Sequence, residues 1–177
     1  LPDRALAAED VPLFYQEAGE EGVGLLRAMS AEVMQLREVL AREHRDILDL
    51  GAVVDVFTWL REAYRGQIED DSSLERALAT NRAYQGIRLP VVEVPGATPG
   101  PEGSVTPRYR PDLQSRYLTE DVPFGLVVTR GLAELAGLPT PTIDRVLDQV
   151  GRWLGIAWLR DGRLSPEGVA RSRAPQH

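Results

Sequence analysis

The chain contains no cysteine and no lysine. Without cysteine there is no disulfide, no thiolate nucleophile and no cysteine-ligated metal centre, a pattern that fits a cytoplasmic setting. Without lysine, Schiff-base catalysis, pyridoxal attachment and the phosphate-binding lysine of a P-loop are excluded within the chain. Histidine is scarce as well, with only His44 and His177. No apolar run approaches the roughly 18 residues of a membrane-spanning helix, and no charged-then-apolar leader is seen. A formal charge of −7 and an acidic pI near 4.9 argue against non-specific binding to nucleic acid or to anionic membranes. Neither HExxH nor GxSxG occurs, and no carboxylates cluster at metal-ligand spacing, so no metal is expected.

What is present is helical periodicity. The 177 residues suit one domain, and a hydrophobic content of 43% is enough for an ordinary core. From about Glu21, the residues Leu26, Met29, Val33, Leu36, Leu40, Ile47 and Leu50 recur at three- and four-residue steps. That spacing predicts one long helix closed at Gly51, with Glu43 its one polar interruption. A second helix is predicted over Val53 to Arg65, and a third from the capping box Ser72-Ser73-Leu74-Glu75 to about Arg82. A fourth runs from Phe124 to Ala136 and a fifth opens at Thr140-Pro141, with Ile143, Val146, Leu147, Val150 and Leu154 inward and Gly155 as its stop. Ser165-Pro166-Glu167 marks a last short turn before an arginine-rich tail ending at His177. With no alternating pattern and no internal repeat, the expected fold is all-α: an irregular bundle of about five to six helices. Leu13-Phe14-Tyr15 reads as a strand or an extended arm. Residues 86–111 gather Gly86, Pro90, Pro95, Gly96, Pro99, Gly100, Pro101, Gly103 and Pro107 in one stretch and read as a long loop, either a lid or a plain tether.

The chemically dense stretch is Ser115-Arg116-Tyr117-Leu118-Thr119-Glu120-Asp121-Val122-Pro123-Phe124-Gly125. Val122 precedes proline and is pushed away from the helical region, which predicts a boundary near Asp121. Pro123 suits a new first turn, and Asp121 is then placed to cap it and to stay ionised. An arginine fork at Arg116 matches a carboxylate bidentately. The plainer reading stands beside this one. Arg116 and Glu120 have the spacing of an exposed helix pair, and Asp121 serves as a cap alone.

Arg116 to Leu126, followed by Leu132-Ala-Glu-Leu-Ala-Gly137 and Pro139-Thr-Pro-Thr-Ile-Asp144, resembles the C-terminal helical domain of the opine dehydrogenases, the octopine and nopaline enzymes among them. Phe14-Tyr15-Gln16-Glu17, Asn81-Arg-Ala-Tyr84-Gln-Gly-Ile87 and Gly162-Arg163 extend the resemblance over nearly the whole chain. It implies an NAD(P)H-dependent reduction of the imine formed between an amino acid and an α-keto acid. It also implies an active site between this domain and a Rossmann-like N-terminal domain. On that reading Arg116 holds a substrate carboxylate and Asp121 orients and charges a catalytic histidine. Tyr117, Glu120 and Trp59 are further substrate-binding candidates, with packing as the plainer role for Tyr117 and Trp59.

The family's histidine lies in a His-Pro segment upstream of the Phe-Tyr motif, and nothing like it precedes Phe14. His44, in the first long helix, is a weak substitute. The glycines of Gly19-Glu-Glu-Gly22-Val-Gly24 stand in the wrong order for a dinucleotide fingerprint, and two glutamates there would repel a pyrophosphate. The chain alone is therefore expected to bind no NAD(P)H and to be inactive, its nucleotide domain lying elsewhere and a homodimer left open. Two other readings stay open: a non-catalytic helical module for dimerisation or partner binding, and a domain of a related 2-keto or 3-hydroxy acid dehydrogenase.

Overall fold

A computed structural model describes residues 5–95, 98–99 and 105–175, so the tail residue His177 lies outside the described residues. About 52% of the chain is helical and the sheets are small two-stranded pairs, as the periodicity predicts. The longest element, α1 (Gly19–Glu43), presents Val23, Glu32 and Leu36 to the interior. It stops at Glu43, short of the expected Gly51, and Ile47 is 82% exposed. Glu43-His44-Arg45-Asp46 are four polar residues in a row, which leaves the next turn no apolar face to bury. The chain folds back instead, and Arg37 Nε donates to the Leu50 carbonyl at 3.1 Å.

The second helix, α2 (Val56–Ala63), starts three residues after the expected Val53 because Asp55 caps it. Asp55 Oδ1 accepts from the amides of Phe57 (3.0 Å) and Thr58 (3.1 Å). The Thr58 hydroxyl, with these amides, holds the Asp55 carboxyl below its ordinary range. In α3 (Leu74–Thr80) the cap is Ser73, whose Oγ accepts from Arg76 N–H.

The expected long loop contains paired strands. β1 (Val91–Glu93), β2 (Thr98–Pro99), β3 (Val105–Thr106) and β4 (Tyr109–Pro111) form two antiparallel pairs, β1 with β4 and β2 with β3, and Val92 stands opposite Arg110. Leu6 bridges to Tyr109 and Leu13 to Arg88, so the N-terminal arm lies along this ribbon. The strands are too short for alternation to register in the sequence.

The dense motif also departs from expectation. α4 (Arg116–Thr119) passes through Asp121 into a π-helical turn, Val122–Leu126, and on into α5 (Val127–Leu135). Pro123 brings no N–H for the Thr119 carbonyl, and the ladder adapts by widening: the Val127 amide reaches back to the Val122 carbonyl. Asp121 is helical and makes no capping hydrogen bond, so its predicted role as an N-cap is not realised.

The last long helix, α6 (Pro141–Leu154), ends where Gly155 turns left-handed at φ 68°. The chain then returns so closely that a Cβ on Gly151 would lie 2.5 Å from the Ile156 carbonyl oxygen. A hairpin of β5 (Leu159–Arg160) and β6 (Arg163–Leu164) and the Ser165-capped α7 (Pro166–Ala170) complete the fold.

Two apolar clusters hold it together. Val122, Val127, Ile143, Leu147, Val150 and Trp158 form one; Val23, Leu60, Leu74, Ala77, Leu78 and Tyr84 form the other. α1 joins them, sending Leu26 to the second cluster and Met29 to the first. Two buried charges tie the first cluster's helices. Glu32 accepts from the amides of Thr142 (2.7 Å) and Ile143 (3.0 Å), capping α6 from across the domain. Arg130 donates to Asp144 (2.5 Å), Glu134 (3.2 Å) and the Gly162 carbonyl (2.7 Å). Among the described residues, no helix is long and apolar enough to cross a membrane.

Candidate functional site

The dense motif lies at the junction of the two clusters. Val122 and Pro123 are buried and anchor it, whereas Arg116, Glu120, Asp121 and Phe124 face outward. The Arg116 side chain is 73% exposed, and its partner is Glu120 at a long 3.7 Å. Such a pair holds weakly and leaves most of the guanidinium fork open. Asp121 forms no ion pair or hydrogen bond among the described residues, although its charge is felt at Tyr15.

Tyr117 packs inward. Its ring stacks on Phe14 at 4.8 Å, Phe14 meets Tyr15 edge-on at 4.8 Å, and Tyr15 stacks on Tyr84 at 4.1 Å. From Tyr84 the contacts continue to Tyr64 (4.9 Å) and to Trp59 (6.0 Å), which is 49% exposed at the far end. A continuous aromatic chain therefore links Tyr117, beside the motif, with Trp59, and the N-terminal arm supplies its middle. Burial first, then the neighbouring Tyr117 hydroxyl, pushes the Tyr15 phenol up to about 12, with Tyr117, Tyr64 and Asp121 adding to it electrostatically. Burial also raises Tyr84. Both hydroxyls thus stay protonated at neutral pH and remain donors.

Phe14, Tyr15 and Tyr117 stood out in the sequence, but Tyr64 and Tyr84 did not enter the site reading. Their stacking joins residues far apart along the chain and leaves no periodic signal. Only Tyr84's place in the Asn81–Ile87 match hinted at it.

Among the described residues, none of the main hollows is lined by Arg116 or Asp121. The nearest large one, about 360 Å³, is lined by Gln114, Leu118, Thr119, Pro123, Leu154 and Arg171 among others, not by Arg116 or Asp121. His44 caps the far end of α1, exposed. Gly19, Gly22 and Gly24 form the first turns of α1, with Glu20 and Glu21 between them. No strand runs into that turn, and the paired carboxylates oppose a phosphate, so these residues do not fit a dinucleotide. No group of three or more acidic or histidine side chains suited to a metal occurs among the described residues.

Comparison with known proteins identifies the family of this helical domain. The family model described as NAD/NADP octopine/nopaline dehydrogenase, alpha-helical domain, matches residues 4–153. The chain belongs to that family and corresponds to its helical domain. Tauropine dehydrogenase of Arabella iricolor is 34% identical over 165 residues, 93% of this chain and 39% of its own length. Octopine dehydrogenase of Mizuhopecten yessoensis is 34% identical over 167 residues, 94% of this chain and 39% of its own length. A solved octopine dehydrogenase with NADH and L-arginine superposes with a TM-score of 0.80 at 33% identity, over 93% of this chain and 38% of that one. The chain thus spans about two fifths of the length of these relatives.

Proposed function

We propose that this chain is the substrate-facing helical domain of an NAD(P)H-dependent opine dehydrogenase, which joins an amino acid to an α-keto acid such as pyruvate by reductive condensation. The observation that carries this reading is an arginine fork left largely open, five residues before an unpaired aspartate, in a domain of this family. The solved octopine dehydrogenase neighbours carry L-arginine, agmatine or pyruvate, two of them with a carboxylate of the kind such a fork grips.

In this reading condensation of the amine with the keto carbonyl expels water and leaves an imine. NAD(P)H, bound mainly by a Rossmann-like domain, supplies the hydride. Arg116 holds a substrate carboxylate against displacement. Asp121 accepts the N–H of an imidazole from outside the described residues and stabilises it when protonated. Glu120 restrains the Arg116 fork and Tyr117 braces the turn between them, while Trp59 borders the cleft at the far end of the aromatic chain. A cytoplasmic location belongs to the same reading.

The test is kinetic. In the two-domain enzyme, Arg116→Ala should raise a substrate KM by at least about tenfold, and Asp121→Asn should chiefly lower kcat. Near-wild-type values for both would remove the assignment. Turnover by this chain alone with NADPH, pyruvate and an amino acid would equally contradict it, and omitting the amino acid separates imine reduction from reduction of a simple keto acid.

A partner-binding role has its own support. Phe124, Leu132 and Leu135 are 52%, 38% and 53% exposed along the π-turn and α5, an apolar stripe turned outward. Loss of association by Leu135→Asp with kcat intact would assign that stripe to assembly.

A further inference from the structure

Arg116 and Asp121 serve the polar groups of a substrate, yet an α-keto acid also carries a side chain on its carbonyl carbon. Phe124 is the large apolar residue beside them. Backbone bonds fix the register: the Glu120 amide donates to the Arg116 carbonyl at 2.8 Å, and the Phe124 amide donates to the Glu120 carbonyl at 2.9 Å. Arg116, Glu120 and Phe124 therefore succeed one another at one-turn intervals. At about 100° per residue, Glu120, Phe124 and Asp121 lie about 40°, 80° and 140° round from Arg116. The π turn entered at Val122 takes more residues per revolution, which moves Phe124 toward Arg116 and keeps it within that sector. A body seated against both Arg116 and Asp121 thus covers Phe124.

The ring is free to meet such a body. Phe124 is 52% exposed and belongs to neither apolar cluster, whereas Val122 and Pro123 before it are buried. Beside it, a Cβ on Gly125 would meet nothing within 4 Å, so that side of the turn is open. A phenylalanine held half in water leaves apolar surface that only an arriving body can bury. Single π turns recur at functional sites, where the extra residue redirects a side chain.

The carbonyl carbon of an α-keto acid bears a carboxylate, an oxygen and a side chain. With the carboxylate on Arg116 and the oxygen toward the imidazole that Asp121 holds, the side chain is the group left to face the sector between them. Resting on the function proposed above, we infer that Phe124 is the specificity-determining residue for the keto acid: its ring is an apolar wall that accepts a methyl group and, by its bulk, excludes longer chains.

The experiment compares Phe124→Leu and Phe124→Ala with the parent in the full two-domain enzyme, using pyruvate, α-ketobutyrate and α-ketovalerate at a saturating amino acid. The readouts are kcat/KM for each keto acid, the amino-acid KM, the thermal midpoint and the oligomeric state. In the parent, kcat/KM should fall along the series. A methylene admitted to an apolar site is worth about fourfold, so Phe124→Ala should raise the ratio of α-ketovalerate to pyruvate by about tenfold or more, with Phe124→Leu between. The amino-acid KM and the midpoint should hold, because the ring packs into neither cluster. An unchanged ratio in Phe124→Ala overturns the inference while leaving Arg116 and Asp121 standing, and a changed oligomeric state beside it assigns the ring to assembly. Arg116→Ala with the parent's KM for every substrate removes the underlying reading instead.

Discussion

Replacing Glu32 by alanine probes the contact that joins the two ends of the sequence. Its two carboxylate oxygens accept from the amides of Thr142 and Ile143, at 2.7 and 3.0 Å, in the first turn of α6. That turn lacks a local cap: Thr140 accepts no amide of the turn, and its hydroxyl donates to Asp144 at 3.2 Å. Ile143 is fully buried and Thr142 half-buried, so water can replace the carboxylate at Thr142 only. An orphaned buried amide costs about 2 kcal/mol and a hydrated one about 0.5 kcal/mol or less. Relief from burying the carboxylate offsets part of this, and lost packing of a side chain in a residue only 8% exposed adds to it. The expected result for Glu32→Ala is a loss of about 2–3 kcal/mol in urea unfolding followed by circular dichroism, with an unchanged m-value. Glu32→Gln keeps one acceptor but turns an N–H toward the other amide, and should lose about half as much. Hydrogen exchange at the Ile143 amide should accelerate more than at amides of α2. A Glu32→Ala protein within about 0.5 kcal/mol of the parent would show that the cap contributes nothing net, and the reasoning would fail.

The other buried charge gives a sharper loss. Arg130→Met removes the partner of Asp144 and one of two arginines on Glu134, whose side chain is only 10% exposed; the urea midpoint should fall by the equivalent of about 3 kcal/mol. Glu134 also sets an acid limit. Burial pushes its carboxyl up, but the Leu164 amide, Arg163 and Arg130 outweigh that and hold it below the ordinary value. Its contribution is therefore complete above the unfolded-state pKa, near 4.3, and is lost as pH falls through the lower folded-state value. Glu134→Gln should flatten the stability curve below about pH 4.5, and an unchanged acid slope would refute this.

The sequence reading and the fold part company where contacts are distant. Asp55 and Ser73 show how local the helix starts are: each accepts amide bonds within three residues of itself, and each moved a boundary by little. Gly155 likewise ends α6 through its own backbone. At Pro123 the local rule misled, since an extended Val122 was expected and a π-turn formed. Burial of Val122 in the first cluster, with Pro123 buried beside it, is the force that holds the helix through the proline. The strands β1 to β4 escaped notice because two- and three-residue strands bear no period, and their stability comes from one another and from the N-terminal arm.

By itself, then, the sequence determined the helical class, most helix ends and the residue types in the dense motif, because periodicity, caps and proline act within a few residues. It could also say that Arg116 and Glu120 would pair, a one-turn relationship. Only tertiary structure decided that Glu32 caps a helix more than a hundred residues away, that Arg130 is buried among carboxylates, and that Phe14 stacks on Tyr117 while Tyr15 stacks on Tyr84. Those contacts depend on how α1 and the arm pack across the later helices, a relation that no local pattern encodes.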